Sequence, residues 1–228
     1  MEISSKDIIF ELVNTESNQE ILQERPHREI GDLSVIYKFL VSETEDGRMT
    51  LPITNDIAKD MNISEQELFE VAYKNTDERL SFSIKSMREM LIGMMFPFDE
   101  MPENDPMVEM MLPPEGDPPM YVMTSSDGIK GACCILYSDK LGDFADKVDS
   151  DLVILPSSIH EVIILPKDES MEMDYLKNMV NEINMGVVSE EDRLSNNIFV
   201  FERAARELKP VFDNVPSISE DESIKKSR

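Results

Sequence analysis

Four closely spaced residues, Ser157, Ser158, His160 and Glu161, have side chains that could together carry out nucleophilic chemistry. They lie within DLVILPSSIHEVIILP, where two apolar runs flank a polar turn. A serine hydroxyl becomes a nucleophile when a neighbouring base accepts its proton, and a carboxylate can orient a histidine to act as that base. The segment therefore raises the hypothesis of a hydrolase or transferase that uses Ser157 or Ser158 with His160.

The spacing of these residues favours a structural role over catalysis. In a strand, His160 and Glu161 point to opposite faces, so Glu161 is badly placed to orient the histidine. Hydrolase triads also usually assemble from segments that are distant in sequence. We interpret Pro156, Ser157 and Ser158 as a tight turn whose hydroxyls satisfy backbone groups, with His160 hydrogen-bonded to fix the corner.

Few other residues could bind a metal or a cofactor. The second histidine, His27, could approach this turn in space, but we interpret it as a solvated loop residue. Cys133 and Cys134 are neighbours in an apolar run, where strand geometry sends them to opposite faces and disfavours a disulfide or a zinc pair. We interpret them as buried thiols in a reducing compartment. Because GxxxxGK, GxGxxG, HExxH and GxSxG are all absent, we expect no metal and no cofactor.

The chain is strongly acidic, with a formal net charge of -25 over 228 residues. Binding to nucleic-acid phosphates is driven by Lys and Arg, so direct DNA or RNA binding is not expected. Acidic runs such as 99–100 and 190–192 are interpreted as solvated faces. An alternative is an acidic nucleic-acid mimic that inhibits a nucleic-acid-binding protein, which would need carboxylates along one face at phosphate-like spacing.

Targeting signals are not recognisable in the sequence. No run reaches the ~18 to 20 apolar residues that span a bilayer, and residues 1–10 lack a basic region followed by an apolar one. We therefore expect a cytoplasmic protein that does not contact membranes.

Strand and helix patterns alternate along the first part of the chain. Residues 8–13 are rich in β-branched and aromatic side chains, and residues 33–41 and 49–53 read as a hairpin. Helices are predicted over 56–61, after the capping box of Ser64 with Glu67, and over 83–93.

The composition changes abruptly at residues 94–120, which contain seven of the 13 prolines together with acidic residues and methionines. Proline at this density removes backbone donors and predicts a linker or surface loop. Beyond it the pattern predicts a hairpin of 120–124 with 132–137, a helix over 139–148, strands at 152–155 and 162–165, a helix ending near Gly186 and a strand at 198–201.

These elements predict an α+β fold, with a mostly antiparallel sheet built from hairpins with flanking helices and arranged as two similar strand-hairpin-helix units. We divide the chain into a first α/β unit at 1–93, a Pro/Met/acidic linker or loop at 94–119, a second α/β unit at 120–213 that carries the PSSIHE turn, and a disordered tail at 214–228.

Several segments carry a resemblance to a known family: LVNTESNQEIL with PHREIGDLSVIYKFLV, ITND with ISEQELFEVAYKNT, MYVMTSSDGIKGACCILY, and ILPSSIHEVIILP. The chain resembles an uncharacterised, clostridial-type bacterial family, domain of unknown function 5688. The resemblance implies that PSSIHE is a family hallmark, but it implies no activity, cofactor or catalytic residue. It also implies an additional N-terminal region in other members, so we expect a shortened form or a fragment.

The function that these observations favour is a non-enzymatic protein-interaction module with a protein partner. The acidic surface and the Met/Pro-rich segment are the expected contact surfaces. The hydrolase or transferase and the acidic mimic stay as alternatives. The sequence leaves the partner, any substrate and the oligomeric state open.

Overall fold

Two antiparallel sheets and several helices form the protein, as described by a computed structural model for residues 4–44, 47–95, 119–156 and 158–211. This arrangement confirms the predicted α+β class with antiparallel sheets. Most of the Pro/Met/acidic segment, the whole of the predicted tail and Ser157 lie outside the described residues. The unit boundaries proposed from the sequence stay a prediction.

The first sheet is built around one long central strand. That strand, β3, runs along one side against β1 and along the other side against β2 and, further on, β4, with an irregularity in register between Leu40 and Ser42. The strands are β1 (Ile8–Asn14), β2 (His27–Ile30), β3 (Leu33–Thr44) and β4 (Gly47–Pro52).

The second sheet has six strands in the order β10-β9-β7-β8-β6-β5, all of them antiparallel. Its edge strand β5 precedes the Pro/Met/acidic segment in sequence, so both halves of the chain contribute to this sheet. The strands are β5 (Ser83–Ser86), β6 (Tyr121–Thr124), β7 (Leu152–Leu155), β8 (Glu161–Pro166), β9 (Phe199–Glu202) and β10 (Glu207–Pro210).

The helices lie against these two sheets. The predicted capping box is present: Ser64 Oγ accepts a hydrogen bond from the Glu67 N–H, and the Glu67 carboxylate accepts one from the Ser64 N–H. The α-helices are α1 (Gln19–Gln23), α2 (Asn55–Asp60), α3 (Glu65–Leu80), α4 (Met87–Met95), α5 (Ser138–Val148) and α6 (Met173–Gly186). Within the described ranges, every helix is too short or too polar to cross a bilayer.

A single apolar core joins the two sheets, and aromatic rings form its centre. The Phe10 ring of β1 lies 6.0 Å from that of Phe69 on α3 and 6.1 Å from that of Tyr137. Helix α3 also satisfies the outer edge of β1, because the Phe10 N–H donates to Thr76 Oγ1 at 3.0 Å. This hydrogen bond leaves one backbone donor fewer for pairing with another chain at this edge.

Helix α6 covers part of the opposite face of the second sheet. Val180 on the helix packs with Val153, Leu155 and Leu165 of β7 and β8 in a second apolar cluster. This cover extends over the β7, β8 and β9 part of the sheet, while β5 and β6 lie beyond the contacts of that cluster. Among the described residues, α6 therefore leaves the β5 and β6 end of this face free of its contacts.

The predicted strand at 132–137 is wrong, because residues Gly131–Leu136 form a 3-10 helix. All six residues are buried, so the run shows no alternation from which strand and helix could be told apart. Cys133 and Cys134 are both buried and free, as predicted, but they are not on opposite faces of a strand. Burial raises the pKa of both thiols, which therefore stay protonated and unreactive.

The helix predicted over 83–93 begins later than expected. Its first four residues form β5, and α4 starts at Met87. Ser86 explains the change, since its Oγ accepts from the Glu89 N–H at 3.1 Å while the Glu89 carboxylate accepts from the Ser86 N–H at 2.6 Å. This reciprocal pair starts a helix at the end of a strand.

Candidate functional site

Ser158 and His160 lie in the connection between β7 and β8, as the sequence predicts. Ser158 is buried and forms an isolated antiparallel bridge with Arg193. Its Oγ accepts a hydrogen bond from the His160 backbone N–H at 3.0 Å. The hydroxyl therefore contacts the main chain of the histidine rather than its ring.

Both nitrogens of the His160 ring have partners. Nδ1 lies 3.2 Å from the Lys130 N–H, and Nε2 lies 3.2 Å from Asp192 Oδ1. Because a backbone N–H can only donate, Nδ1 accepts, and the neutral ring carries its proton on Nε2 and donates it to Asp192. Asp192 also accepts from Ser189 Oγ at 2.7 Å, and this hydrogen bond, with a smaller contribution from His160, lowers the pKa of the Asp192 carboxyl.

The carboxylate at the histidine comes from a distant segment. Asp192 contacts the ring, whereas Glu161 lies at the start of β8, opposite Thr124 of β6. The local pattern of the acidic run 190–192 predicts a solvated face and gives no sign of a partner 32 residues away. A proton transfer by His160 would first require one of its two ring contacts to break.

The main chain of His160 also forms hydrogen bonds to other segments. Its carbonyl oxygen accepts from the Gly131 N–H and from Thr124 Oγ1, both at 2.8 Å. The residue thus connects β8 to the 3-10 helix, to β6 and to the segment that ends at Asp192. This geometry can hold three segments in place, and the catalytic role of Ser157, Ser158, His160 and Glu161 stays a prediction.

The interpretation of His27 as a loop residue is wrong, because it is the first residue of β2, and it makes its contacts within its own segment. Its Nδ1 lies 2.9 Å from the Arg25 carbonyl oxygen, and its Nε2 lies 4.0 Å from Glu29 Oε1. Elsewhere, too, the described part of the chain brings no three His, Cys, Asp or Glu side chains together in a way that could hold a metal ion.

We expect the His160→Ala variant to be less stable than the wild type by about 2 kcal/mol, since the Lys130 N–H and Asp192 lose their partner. His160→Asn should recover part of this loss because its Oδ1 can replace Nδ1 as the acceptor. Urea unfolding followed by circular dichroism measures both. If both variants unfold at the wild-type midpoint, the ring does not hold the corner.

A groove of about 880 Å³ lies next to this corner, at the β5 and β6 end of the second sheet. Val122 of β6 forms the floor of the groove. Val122 pairs with Ile163 of β8, and Ile163 packs under α6. Because directly paired residues point to the same face, the groove and α6 lie on one face of the sheet. The lining comes from the end of α3, from β5, α4 and β6, and from the turn after β6. Its members are Ser81, Ser83, Lys85, Glu89, Met90, Ile92, Gly93, Val122, Thr124, Ser125, Ser126, Asp127 and Gly128.

One wall of the groove is attached to the first sheet. The Arg48 guanidinium of β4 donates to Asp127 Oδ2 at 3.0 Å and to the Ile129 carbonyl oxygen, and its side chain is only 5% exposed. Asp127 in turn accepts from Ser125 Oγ at 2.7 Å and from the Ile129 N–H at 3.1 Å. The turn that lines the groove is thereby fixed before any ligand arrives.

A buried charge cluster lies behind the same turn. Glu11 of β1 is 6% exposed, and its Oε2 lies 2.5 Å from Lys38 Nζ and 3.0 Å from Lys130 Nζ. Lys130 thus joins the first sheet through its side chain and His160 through its backbone. Sequence reasoning missed this cluster because its members are 27 and 119 residues from Glu11.

Residues 1–203 match a family model described as "Family of unknown function (DUF5688)". The match covers β1 to β9 and includes both the His160 corner and the groove. No curated protein and no solved structure matches the sequence.

Proposed function

The chain belongs to the DUF5688 family, whose function is unknown, and we propose from its geometry that it is a protein-interaction module. The groove on the second sheet receives an apolar side chain and its flanking segment from a partner protein. Its volume of about 880 Å³ carries the proposal, since ligand sites in proteins commonly measure ~300 to 1,000 Å³ and are mostly apolar.

The position of the groove supports this function. Met90 and Ile92 of α4 and Val122 of β6 give it an apolar interior, and hydroxyl groups border it on the side of Ser83 and Thr124. An apolar interior with a polar border is typical of the pockets that receive the anchoring side chain of a partner. The same sheet face is covered by α6 from the next strand, β8, onward.

The walls of the groove are held by bonds within the chain. Helix α4 starts from the reciprocal hydrogen bonds of Ser86 and Glu89, and the opposite turn is held by Arg48 through Asp127. A site that is ordered before binding loses less conformational entropy when the ligand arrives. This reduces the cost of binding a short segment.

Insertion of a side chain fits this groove better than addition of a long strand to β5. The Met87 N–H donates to the Met120 carbonyl oxygen, which fixes the alternation of inward and outward backbone groups along β5. The backbone groups of Ser83 and Lys85 therefore face β6. Those of Ile84 and Ser86 face away from the sheet. The outward Ser86 N–H is already occupied by Glu89. Little of this edge is left for pairing, so side-chain contacts must supply the affinity.

We expect peptides selected from a random display library against the immobilised protein to bind in the groove. Met90→Asp should weaken their binding at least tenfold, because a carboxylate in an apolar wall must be desolvated. Met185→Asp is the matched control, since Met185 is 79% exposed on α6 and does not line the groove. Affinity is measured by isothermal titration calorimetry, with thermal unfolding to verify that each variant is folded.

Ser83→Tyr gives an independent check, because it fills the groove without placing a charge there. Backbone amide shifts in NMR spectra should change at residues 81–93 and 122–128 when a selected peptide is added. The proposal is overturned if no peptide is recovered, or if peptides bind with unchanged affinity to both groove variants.

A further inference from the structure

We propose that the segment bound by the groove carries a carboxylate next to its apolar side chain, and that Lys85 binds this carboxylate. The inference rests on the proposed function, because it names the chemistry of the ligand for the same groove. It follows from the charged residues in the lining and from the partners that each of them already has.

Both acidic residues of the lining are occupied by groups of the protein. Glu89 accepts from the Ser86 N–H at 2.6 Å and from Ser86 Oγ at 2.9 Å, and these bonds lower the pKa of its carboxyl. Asp127 accepts from Arg48, Ser125 and Ile129. Neither carboxylate needs a cation from a ligand.

Lys85 differs from these two residues. Among the described residues it has no hydrogen-bond partner and no carboxylate within ion-pair distance. Its charge acts on Glu89 at longer range and helps to lower the pKa of that carboxyl. Within the described part of the chain, this ammonium group at the border of an apolar groove is the lining's available charge for an incoming anion. A carboxylate matches it in sign and in hydrogen-bonding capacity.

The position of Lys85 defines where the ligand carboxylate must be. Lys85 pairs directly with Val122 across β5 and β6, so the two side chains lie on the same face of the sheet. A ligand whose apolar group reaches Val122 therefore places its next functional group beside the lysine. The expected motif is an apolar residue adjacent to Asp, to Glu or to a C-terminal carboxylate.

The net charge of the protein restricts the rest of the ligand. At -25, the long-range field repels any strongly acidic partner and favours neutral or basic sequence around the motif. Recognition thus requires one carboxylate at Lys85 within a segment that is not itself acidic.

The test compares paired peptides from the display selection described above, one with the carboxylate and one with the corresponding amide. For the wild type, we expect the carboxylate form to bind about tenfold more tightly, as for a charge-assisted hydrogen bond. Lys85→Met should remove this difference between the carboxylate and the amide forms. Lys85→Arg should retain most of the difference.

Lys74→Met is the matched control, since this lysine is 76% exposed on α3 and does not line the groove. Replacing a side-chain carboxylate and a C-terminal carboxylate separately shows which of the two sources Lys85 binds. If peptides occupy the groove but acid and amide bind equally, the role of Lys85 is wrong while the proposed function stands. If no peptide occupies the groove, both are overturned.

Discussion

Replacing Gly131 with alanine is expected to lower the melting temperature by about 10 °C. A Cβ at this position would lie 2.3 Å from the Ser125 backbone nitrogen, 2.6 Å from Thr124 Oγ1 and 2.8 Å from the His160 carbonyl oxygen. Two of these atoms belong to the main chain and cannot rotate away. Overpacking of this kind costs about 3 kcal/mol, which corresponds to that shift for a domain of this size.

Two other glycines provide controls. At Gly186 nothing lies within 4 Å of an added Cβ, so Gly186→Ala should leave the melting temperature almost unchanged. At Gly142 the added Cβ would meet the guanidinium of Arg206, which is the end of a flexible and partly exposed side chain. Gly142→Ala should therefore cost much less than Gly131→Ala. Equal melting temperatures for the variants at Gly131 and Gly186 would contradict the close packing at the His160 corner.

The second large effect is expected at Glu11, where Glu11→Gln should destabilise the protein by about 3 kcal/mol near pH 7. The carboxylate neutralises two ammonium groups, those of Lys38 and Lys130, and the Lys38 side chain is only 13% exposed. Without Glu11, a buried positive charge has no counter-ion. Urea unfolding measures the loss, and a change below about 0.5 kcal/mol would show that the cluster adds nothing to stability.

The loss at Glu11 should depend on pH in a defined direction. Burial lowers the pKa of Lys38 in the folded protein below its value in the unfolded chain. Below the folded-state pKa, the buried charge lowers the free energy of unfolding by its full amount. This destabilisation disappears as the pH rises toward the pKa of the unfolded chain. Removing Glu11 lowers the pKa of Lys38 further. The deficit of Glu11→Gln relative to the wild type should therefore shrink between about pH 7 and about pH 10.

A double variant separates charge from packing in this cluster. Glu11→Leu with Lys38→Met replaces the buried pair by apolar groups, and Lys130, which is 36% exposed, can turn toward water. Such replacements are often neutral or stabilising. The double variant should thus be more stable than Glu11→Gln, and a larger loss in the double variant would contradict the electrostatic explanation.

Much of the fold could be predicted because local rules decide it. The β-branched and aromatic residues of β1 and β3, the capping box of Ser64 with Glu67, and the apolar stripe of α6 all indicate the observed elements. Each is decided by residues within a few positions of one another. The run ACCILY was misassigned because it is buried on all sides, so its pattern contains no period.

The surroundings of the candidate sites could not be predicted in the same way. The turn at His160 is visible in the sequence, but Lys130 and Asp192, its ring partners, lie 30 and 32 residues from it. The groove depends on how far α6 extends across one face of the second sheet. The packing of elements that are distant in sequence determines how much of the sheet α6 covers, and no local sequence pattern predicts it.

Phe10 stacks on Tyr137, which is synthesised much later on the ribosome. Translation at ~5 to 20 residues per second separates the appearance of these two residues by roughly ten seconds. During that interval the first sheet can pair its strands, but the aromatic face of β1 has no complete cover. We therefore expect the nascent chain to pass through a stage with an exposed aromatic surface, to which a chaperone that recognises apolar segments can bind.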